Sequence, residues 1–380
     1  MKFKYIFLSL CLCVFARNNG VLAQARQPWW FTLEQGKLYL RSGAYGKALT
    51  TFEDARRGRL DQFNRMEQDF IAFLSSYDVR RLGDSLEFIE KYISDSRNTA
   101  AAAVLAELYF RVPKAALQGS AKRVLEELDR LKSYPEAEYW LGEAYMAEGE
   151  LALALRQYER AWQDRALLET PGFEVEILYK ITEVYRLRQN YQEMEKLAKE
   201  IVEGRDASGS PRDGLWNNGS PSLTRAAMTR ILENDGVNRF LTLYRHHNPV
   251  TEKAHRLLGF FYYASNRYAN AAEHLMFAFL IQNTVLIDEI IRREFDFTFT
   301  NLNDLMVFVR SRPELEDYLH ETEYYRTIFY LSSALFATGK TRPSRELWSF
   351  LAGSPGAGEW GERARRNPTP YAERAVDTGR

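Results

Sequence analysis

Apolar side chains recur along most of this chain at steps of three and four residues, which is the period of one helix face. The segment around Phe52 is typical, because Ala48, Phe52 and Ala55 occupy the i, i+4 and i+7 positions of a single stripe. Polar residues fill the positions between, and no alternation of strands with helices is visible. The pattern predicts an all-α chain and argues against a parallel sheet.

A longer spacing, with steps of three, nine, four and three residues, occurs three times in this chain. Each set begins with a glycine and then places a tyrosine, an alanine, a large apolar residue and a second alanine. The sets are Gly36, Tyr39, Ala48, Phe52, Ala55; Gly142, Tyr145, Ala154, Tyr158, Ala161; and Gly259, Tyr262, Ala271, Leu275, Ala278. Small residues let two helices approach closely while the larger ones fill the remaining gaps. A residue suited to positive φ follows seven positions after each glycine, namely Gly43, Gly149 and Asn266. The spacing predicts pairs of helices joined by a tight turn.

This pattern resembles the tetratricopeptide repeat, a helix–turn–helix unit of about 34 residues. The matching segments are 29–62, 135–168 and 252–285. Weaker copies align at 175–208, where Thr182 replaces the glycine, and at 325–358, where Leu335 replaces the tyrosine. Segment 99–132 is a degenerate pair broken by Pro113. The resemblance implies a superhelical array of antiparallel helix pairs, an α-solenoid with some degenerate repeats. The late proline of the family is mostly absent and the copies are irregularly spaced, so a helical bundle without repeats is the alternative.

The first 25 residues have the pattern of a secretory signal peptide. Lys2 and Lys4 supply the positive start, residues 5–16 form a short apolar stretch, and residues 23–25 spell the Ala-Gln-Ala of a cleavage site. The apolar stretch is shorter than the roughly 20 residues of a spanning helix. Cys11 and Cys13 are the two cysteines of the chain and both lie here, so the cleaved protein would have no disulfide. The segment predicts export, to the periplasm of a two-membrane bacterium.

Changes in composition predict the organisation that follows the signal peptide. Residues 26–205 and 223–352 are expected to form N-terminal and C-terminal sets of helical repeats. Residues 206–222, rich in Gly, Ser, Pro and Asn, are expected to form a loop or linker, and 353–380 a flexible tail. Phe295, Phe297 and Phe299 alternate with polar residues, which indicates an extended piece, interpreted as a loop that fixes its phenylalanines in the core.

Charge and motifs narrow the functional classes. The chain has 51 basic and 51 acidic side chains, well interspersed, which does not favour nucleic-acid binding. Gly339-Lys340-Thr341 resembles the end of a phosphate-binding loop, but its position after a helical stretch favours a repeat turn. His246, His247 and His255 are too poorly placed for a metal site. Since no H-E-x-x-H, G-x-S-x-G or C-x-x-C motif follows the signal peptide, we expect no catalytic site, cofactor or metal.

The family resemblance implies that residues just before and after the first glycine of each copy face a concave groove. They combine aromatic anchors with both signs of charge, as peptide-binding surfaces do. The candidate partner-binding residues are Tyr139, Trp140, Glu143, Tyr179, Lys180, Glu183, Arg256, Phe260 and Tyr263. An alternative is that these aromatics bury against the next repeat instead.

These features predict an exported scaffold or escort that acts in the cell envelope through its concave groove. Its partners would be other envelope proteins or peptides, without nucleic acid, and it would be peripheral to the membrane at most. The alternative is a carrier for a small, partly apolar ligand such as a lipid or metabolite, within a transport system. That alternative is favoured by an aromatic content of 14%. The two hypotheses belong to different classes, and a retained lipid would separate them.

Overall fold

The computed structural model describes residues 27–76, 126, 128–204 and 221–366. These residues form fifteen α-helices and no strand, and the helices pack in adjacent pairs. The all-α fold class predicted from the sequence is confirmed. The predicted signal peptide, residues 1–25, lies outside the described residues, as do residues 99–125 of the degenerate pair predicted at 99–132.

The chain divides into two compact units, at Leu167 and Leu168. The first contains α1 (Trp29–Arg41), α2 (Tyr45–Ser76), α3 (Pro135–Glu148) and α4 (Leu151–Gln163), followed by a 3-10 turn at Arg165–Leu167. Helix α1 packs on α2, α2 on α3, and α3 on α4. Trp29, Phe52 and Leu141 lie in the core that these helices share.

The second unit is larger. Its helices are α5 (Phe173–Leu187), α6 (Tyr191–Glu203), α7 (Pro221–Asn234), α8 (Val237–Leu243), α9 (Glu252–Ala264), α10 (Tyr268–Arg293), α11 (Leu302–Arg310), α12 (Pro313–Glu321), α13 (Tyr324–Ala337), α14 (Thr341–Gly353) and α15 (Gly358–Arg365). Helix α6 packs on α5 and α9, α10 on α9 and α13, and α14 on α13 and α15. Helices on either side of the predicted linker at 206–222 therefore belong to one unit.

The three glycines of the repeated spacing mark the points where paired helices touch. A Cβ added at Gly36 would lie 2.4 Å from Cε1 of Phe52, and one at Gly142 would lie 2.5 Å from Cε1 of Tyr158. A Cβ at Gly259 would lie 2.5 Å from Cγ of Leu275. All three distances are shorter than those that real Cβ atoms show, so a larger residue would require the facing side chain to move. The predicted stripe on each second helix is confirmed, since its alanines and large residues are fully buried.

The same turn joins the two helices of all five aligned copies. The turn residue is Gly43, Gly149, Gln189, Asn266 or Gly339, and each has φ between 58° and 82°. In each turn the following amide donates to the carbonyl five residues back, as in Ala44 N to Tyr39 O at 2.9 Å and Lys340 N to Leu335 O at 2.9 Å. This is the Schellman arrangement, which satisfies the last carbonyls of a helix. The predicted turns at Gly43, Gly149, Asn266 and Gly339 are confirmed.

Each of the two weaker copies has a larger residue at the glycine position. In α5 and α6, Thr182 is buried where glycine is expected, and the fully buried residue sixteen positions later is Ala198. In α13 and α14, Ser332 occupies the glycine position and Trp348 the large one. The larger first residue is thus matched by a smaller second residue in α5 and α6, which keeps the volume between the helices similar.

The long helix α10 is the central core helix of the second unit. Among the described residues it is the one helix long and apolar enough to cross a membrane, with 26 residues and a mean hydropathy of 1.4 in its most apolar window. However, 72% of that window is buried inside the protein. Its apolar composition therefore follows from helices packing around it.

Two expectations for the end of the second unit need correction. A flexible tail predicted over residues 353–380 is wrong for 358–365, because these residues form α15, which packs on α14. The contact is close at Gly361, whose added Cβ would lie 2.9 Å from the Leu351 carbonyl oxygen. The loop at 294–301 does not bury all its phenylalanines. Phe297 packs on Phe308 of α11, with ring centroids 4.7 Å apart, but Phe295 is 92% exposed.

Candidate functional site

The nine candidate partner-binding residues lie on first helices of three pairs. Those on α3 belong to the first unit, and those on α5 and α9 belong to the second. Each unit is described separately below.

The residues on α3 are largely engaged in packing. Tyr139 is buried and contacts Trp140 and Tyr158 through its ring. Trp140 is half-buried, stacks on Phe52 at 6.3 Å, and lies 5.1 Å from the Lys37 ammonium. Glu143 accepts a hydrogen bond from the Tyr158 hydroxyl at 2.5 Å. Tyr139 is therefore buried against neighbouring helices, which is the alternative that the sequence left open.

The residues on α5 form a mixed polar face. Lys180 lies 3.7 Å from Glu183, an i, i+3 pair on the helix surface. The Tyr179 ring lies 5.3 Å from the ammonium of Lys253 on α9. Burial raises the pKa of the Tyr179 hydroxyl far above its usual range, and the Glu183 carboxylate raises it further. Tyr179 is therefore a neutral hydroxyl at any physiological pH.

Arg256 on α9 is the most constrained of the nine. Its guanidinium donates to Glu252 one turn earlier at 3.0 Å, and to Glu323 at the start of α13 at 2.6 Å. Glu252 is only 4% exposed and also accepts from the Gln282 side chain at 2.7 Å. Burial raises the pKa of the Glu252 carboxyl, although Arg256 opposes that shift. Arg256 therefore forms ion pairs with the buried Glu252 and with the half-exposed Glu323.

Phe260 and Tyr263 continue this arrangement along α9 and meet α13. The Phe260 ring lies 5.4 Å from the Tyr330 ring and 4.5 Å from the Arg326 guanidinium. Tyr263 lies 4.8 Å from Tyr330. We call Arg256, Phe260, Tyr263, Arg326 and Tyr330 the α9–α13 strip. It combines cation–π and edge-to-face aromatic contacts with partly exposed side chains.

Glu323 lies at the polar end of the α9–α13 strip. It accepts hydrogen bonds from both arginines, from Arg256 at 2.6 Å and from Arg326 at 3.1 Å. Its backbone has φ of 48° and ψ of 42°, the left-handed region that a glutamate rarely adopts. Arg326 uses only Nη1 for this pair, and its buried Nε has no hydrogen-bond acceptor. The two arginines are therefore held by one carboxylate on strained backbone.

The sequence analysis did not identify the residues that α13 contributes. The candidate residues lie within four positions of the first glycine of a copy, whereas Glu323 and Arg326 precede Ser332, the equivalent residue, by nine and six positions. Tyr330 precedes Ser332 by two positions, the offset of Trp140 from Gly142, but it was not among the candidates. All three meet α9 because that end of α13 packs against it. A usable signal was present: a glutamate, an arginine and a tyrosine at i, i+3 and i+7 of a helix that is otherwise mostly apolar.

A second polar cluster joins α6 to α9 and to the turn before α10. Glu195 accepts from the Tyr262 hydroxyl at 2.9 Å, and its carboxylate lies 3.1 Å from Arg267 and 2.8 Å from Lys199. Burial alone would raise the pKa of Glu195, but these three hydrogen bonds lower it to about 2. The same side of α6 borders an open surface cleft of about 650 Å³, whose lining includes Lys196, Lys199 and Glu203.

The histidines do not form a metal-ligand cluster in the part of the chain that is described. His255 is buried, stacks on Phe277 at 4.9 Å, and has its Nδ1 3.0 Å from Nδ1 of His274. One of these nitrogens must donate and the other accept. His247 instead lies near the surface, 2.9 Å from Asp288. The chemistry of His255 is therefore that of a packed hydrogen-bonded pair.

Comparison with known proteins shows similarity over nearly the whole chain. No family model matches the sequence. An uncharacterised protein of Treponema pallidum (strain Nichols) is 25% identical over 348 residues, which cover 92% of this chain and 91% of the relative. An uncharacterised protein of Borreliella burgdorferi (strain ATCC 35210 / DSM 4680 / CIP 102532 / B31) is 24% identical over 224 residues, covering 56% of this chain and 69% of the relative. The chain is therefore similar to uncharacterised proteins of comparable length.

Proposed function

We propose that this chain is an exported interaction scaffold or escort of the cell envelope. Its helix pairs would stack as a tetratricopeptide-like α-solenoid, and the first helices of the pairs would line a concave groove. Partner proteins or peptides would bind there, with the α9–α13 strip as the main anchor. The first residues of the sequence, with their charged start, apolar stretch and Ala-Gln-Ala site, support the export part of the proposal.

The observation that carries the proposal is the composition of the α9–α13 strip. Phe260, Tyr263 and Arg326 are half-exposed, yet each is held in place. Arg326 pairs with Glu323 and covers the Phe260 ring, and both Phe260 and Tyr263 contact the Tyr330 ring. Aromatic and arginine side chains that are held rigidly lose little entropy when a partner binds, and they are the residues most enriched at binding hot spots. A face built only for solvation would not need such a cluster.

The test is affinity capture of the tagged full chain from cross-linked source cells, comparing two variants of adjacent residues. Phe260→Ala removes the ring that faces α13. Phe261→Ala removes a ring of the same type and similar exposure that stacks on Tyr191 of α6 instead, at 5.7 Å. We expect Phe260→Ala to lose its partner and Phe261→Ala to retain it.

Both variants must first show the same helical content and melting temperature. Equal recovery of the same proteins by both variants would exclude the α9–α13 strip as the anchor. Loss of capture in both would indicate that the helix, rather than this face of it, is what binding requires.

A further inference from the structure

We propose that Glu323 is a built-in competitor that occupies the arginine pair of the α9–α13 strip, and that the partner replaces it with the carboxylate of an internal Asp or Glu side chain next to an aromatic residue. This inference rests on the proposed binding function and specifies the chemistry of the partner at that same face.

The first observation is the incomplete pairing of Arg326. A guanidinium usually binds a carboxylate through two parallel hydrogen bonds, because its donors match the two oxygens. Here Glu323 meets Arg326 through Nη1 at 3.1 Å, while Nε is buried without an acceptor. A buried donor without an acceptor is destabilising. A carboxylate arriving from outside could accept from both Nη1 and Nη2 of the partly exposed Arg326 side chain, whereas Glu323 accepts from Nη1 alone.

The second observation is the backbone of Glu323. A left-handed conformation is unfavourable for a residue with a side chain, relative to the right-handed one. Glu323 holds φ of 48° at the start of α13, and its side chain is 39% exposed. Its carboxylate therefore lies beside water, into which it can swing when a better acceptor arrives.

The third observation is charge balance within the cluster. Arg256 has a second carboxylate, the buried Glu252, at 3.0 Å and so stays paired when Glu323 leaves. Arg326 has Glu323 as its carboxylate and is covered on one side by Phe260 at 4.5 Å. The group that replaces Glu323 must therefore carry a negative charge and can bring an aromatic or apolar neighbour against Phe260 and Tyr330.

The experiment measures binding of acetyl-Phe-Glu-Phe-amide, whose termini are blocked, to the full chain by isothermal titration calorimetry. Glu323→Gln removes the competing charge, and Glu321→Gln removes an exposed charge two residues away as the matched control. Because a tethered competitor acts at a high effective concentration, we expect Glu323→Gln to bind roughly tenfold tighter than the parent. Glu321→Gln should bind as the parent does.

Further variants and probes separate the alternatives. Asparagine tolerates left-handed backbone, so Glu323→Asn should bind the peptide as tightly as Glu323→Gln if the charge is what matters. Arg326→Lys, which cannot form the bidentate pair, should abolish the tighter binding. The probe with Gln in place of Glu should bind no variant tightly.

Equal affinity of Glu323→Gln and the parent would overturn the inference. Tightening seen only with a phosphoserine probe, or only with a free C-terminal carboxylate, would overturn the assignment to an internal carboxylate side chain. None of these results affects the capture comparison of Phe260→Ala and Phe261→Ala, so a wrong partner chemistry can be distinguished from a wrong binding face.

Discussion

Single glycines decide how closely the helix pairs can approach. At Gly36 the hydrogen of the glycine takes the space that a methyl group would need beside Phe52. Gly46, ten residues later on α2, has nothing within 4 Å of an added Cβ. Glycine is therefore needed at Gly36 for the close helix contact, whereas at Gly46 it only lowers the helix propensity of the segment.

We predict opposite effects of alanine at these two sites. Gly36→Ala should destabilise the first unit by about 1–3 kcal/mol, because Phe52 must shift within a full core. Gly46→Ala should stabilise it by about 0.5–1 kcal/mol, because alanine is the better helix former. Denaturant unfolding measures both. Equal and small effects at the two sites would mean that the Gly36 contact is not limiting.

At the residue scale the sequence predicted small-to-large contacts better than it predicted exposure. The pairing of Gly36 with Phe52 follows from spacing alone. Tyr39 occupies the same position as the buried Tyr262, yet it is 39% exposed. The spacing within a copy does not indicate which neighbouring helix covers it. Arg59 is completely buried among Trp29 and Tyr134, with its guanidinium 4.9 Å and 4.7 Å from their rings. Helical period alone would not place a cation in a core.

At the scale of helices, the Glu195 cluster links α6 to its neighbours through charge. The pKa of Glu195 is lowered from 4.5 to about 2. A carboxyl whose pKa is lower in the folded state stabilises the fold above the unfolded pKa and loses that contribution as pH falls. The contacts of the Glu195 carboxylate with α9 and Arg267 should therefore weaken between pH 4.5 and 2, and be intact at neutral pH.

We predict that Glu195→Gln destabilises the second unit at pH 7 by about 1 kcal/mol, discounted because solvent reaches the cluster. The difference between variant and parent should shrink toward zero as the pH is lowered through that range. Urea unfolding at several pH values measures it. Glu193→Gln, which removes an exposed carboxylate paired with Lys196 at 3.3 Å, should have little effect at any pH. A constant Glu195→Gln difference down to pH 2 would contradict the pKa assignment.

The helix pairs themselves were predictable, and the short helices were not. A turn residue with positive φ such as Gly149 or Gly339 is visible in the sequence because few residue types fit it. The short helix α15 follows a segment rich in Gly, Pro and Ser and has no repeat spacing. It is fixed by contacts of Trp360 with Phe329 and Tyr330, at 5.5 Å and 5.8 Å. Contacts between distant parts of a chain leave no local period, and Glu323 and Arg326 at the start of α13 were missed for the same reason.

For the whole molecule, the division into two units predicts where a perturbation will be felt. Packing within each unit joins mainly neighbouring helices, so a local defect should spread through adjacent pairs first. Gly36→Ala should speed amide hydrogen exchange in α1–α4 and leave α9–α14 at parental rates. Gly259→Ala, which would place a Cβ 2.5 Å from Leu275, should do the reverse. Hydrogen exchange with mass spectrometry measures both, and a uniform increase would show that the chain opens as one unit.

The matched sizes in the three glycine pairs and in α5–α6 also constrain which helices can associate while the chain folds. A first helix with glycine, such as α3, needs a large partner residue like Tyr158, whereas α5 carries Thr182 and is matched by Ala198. Exchanging these partners would force Thr182 against a tyrosine or leave a void beside Gly142. Similar repeats in one chain risk mispairing during synthesis. In α5 and α6 the larger residue is on the first helix and the smaller one on the second. This reversal would disfavour such mispairing, even though the turns of the copies are nearly identical.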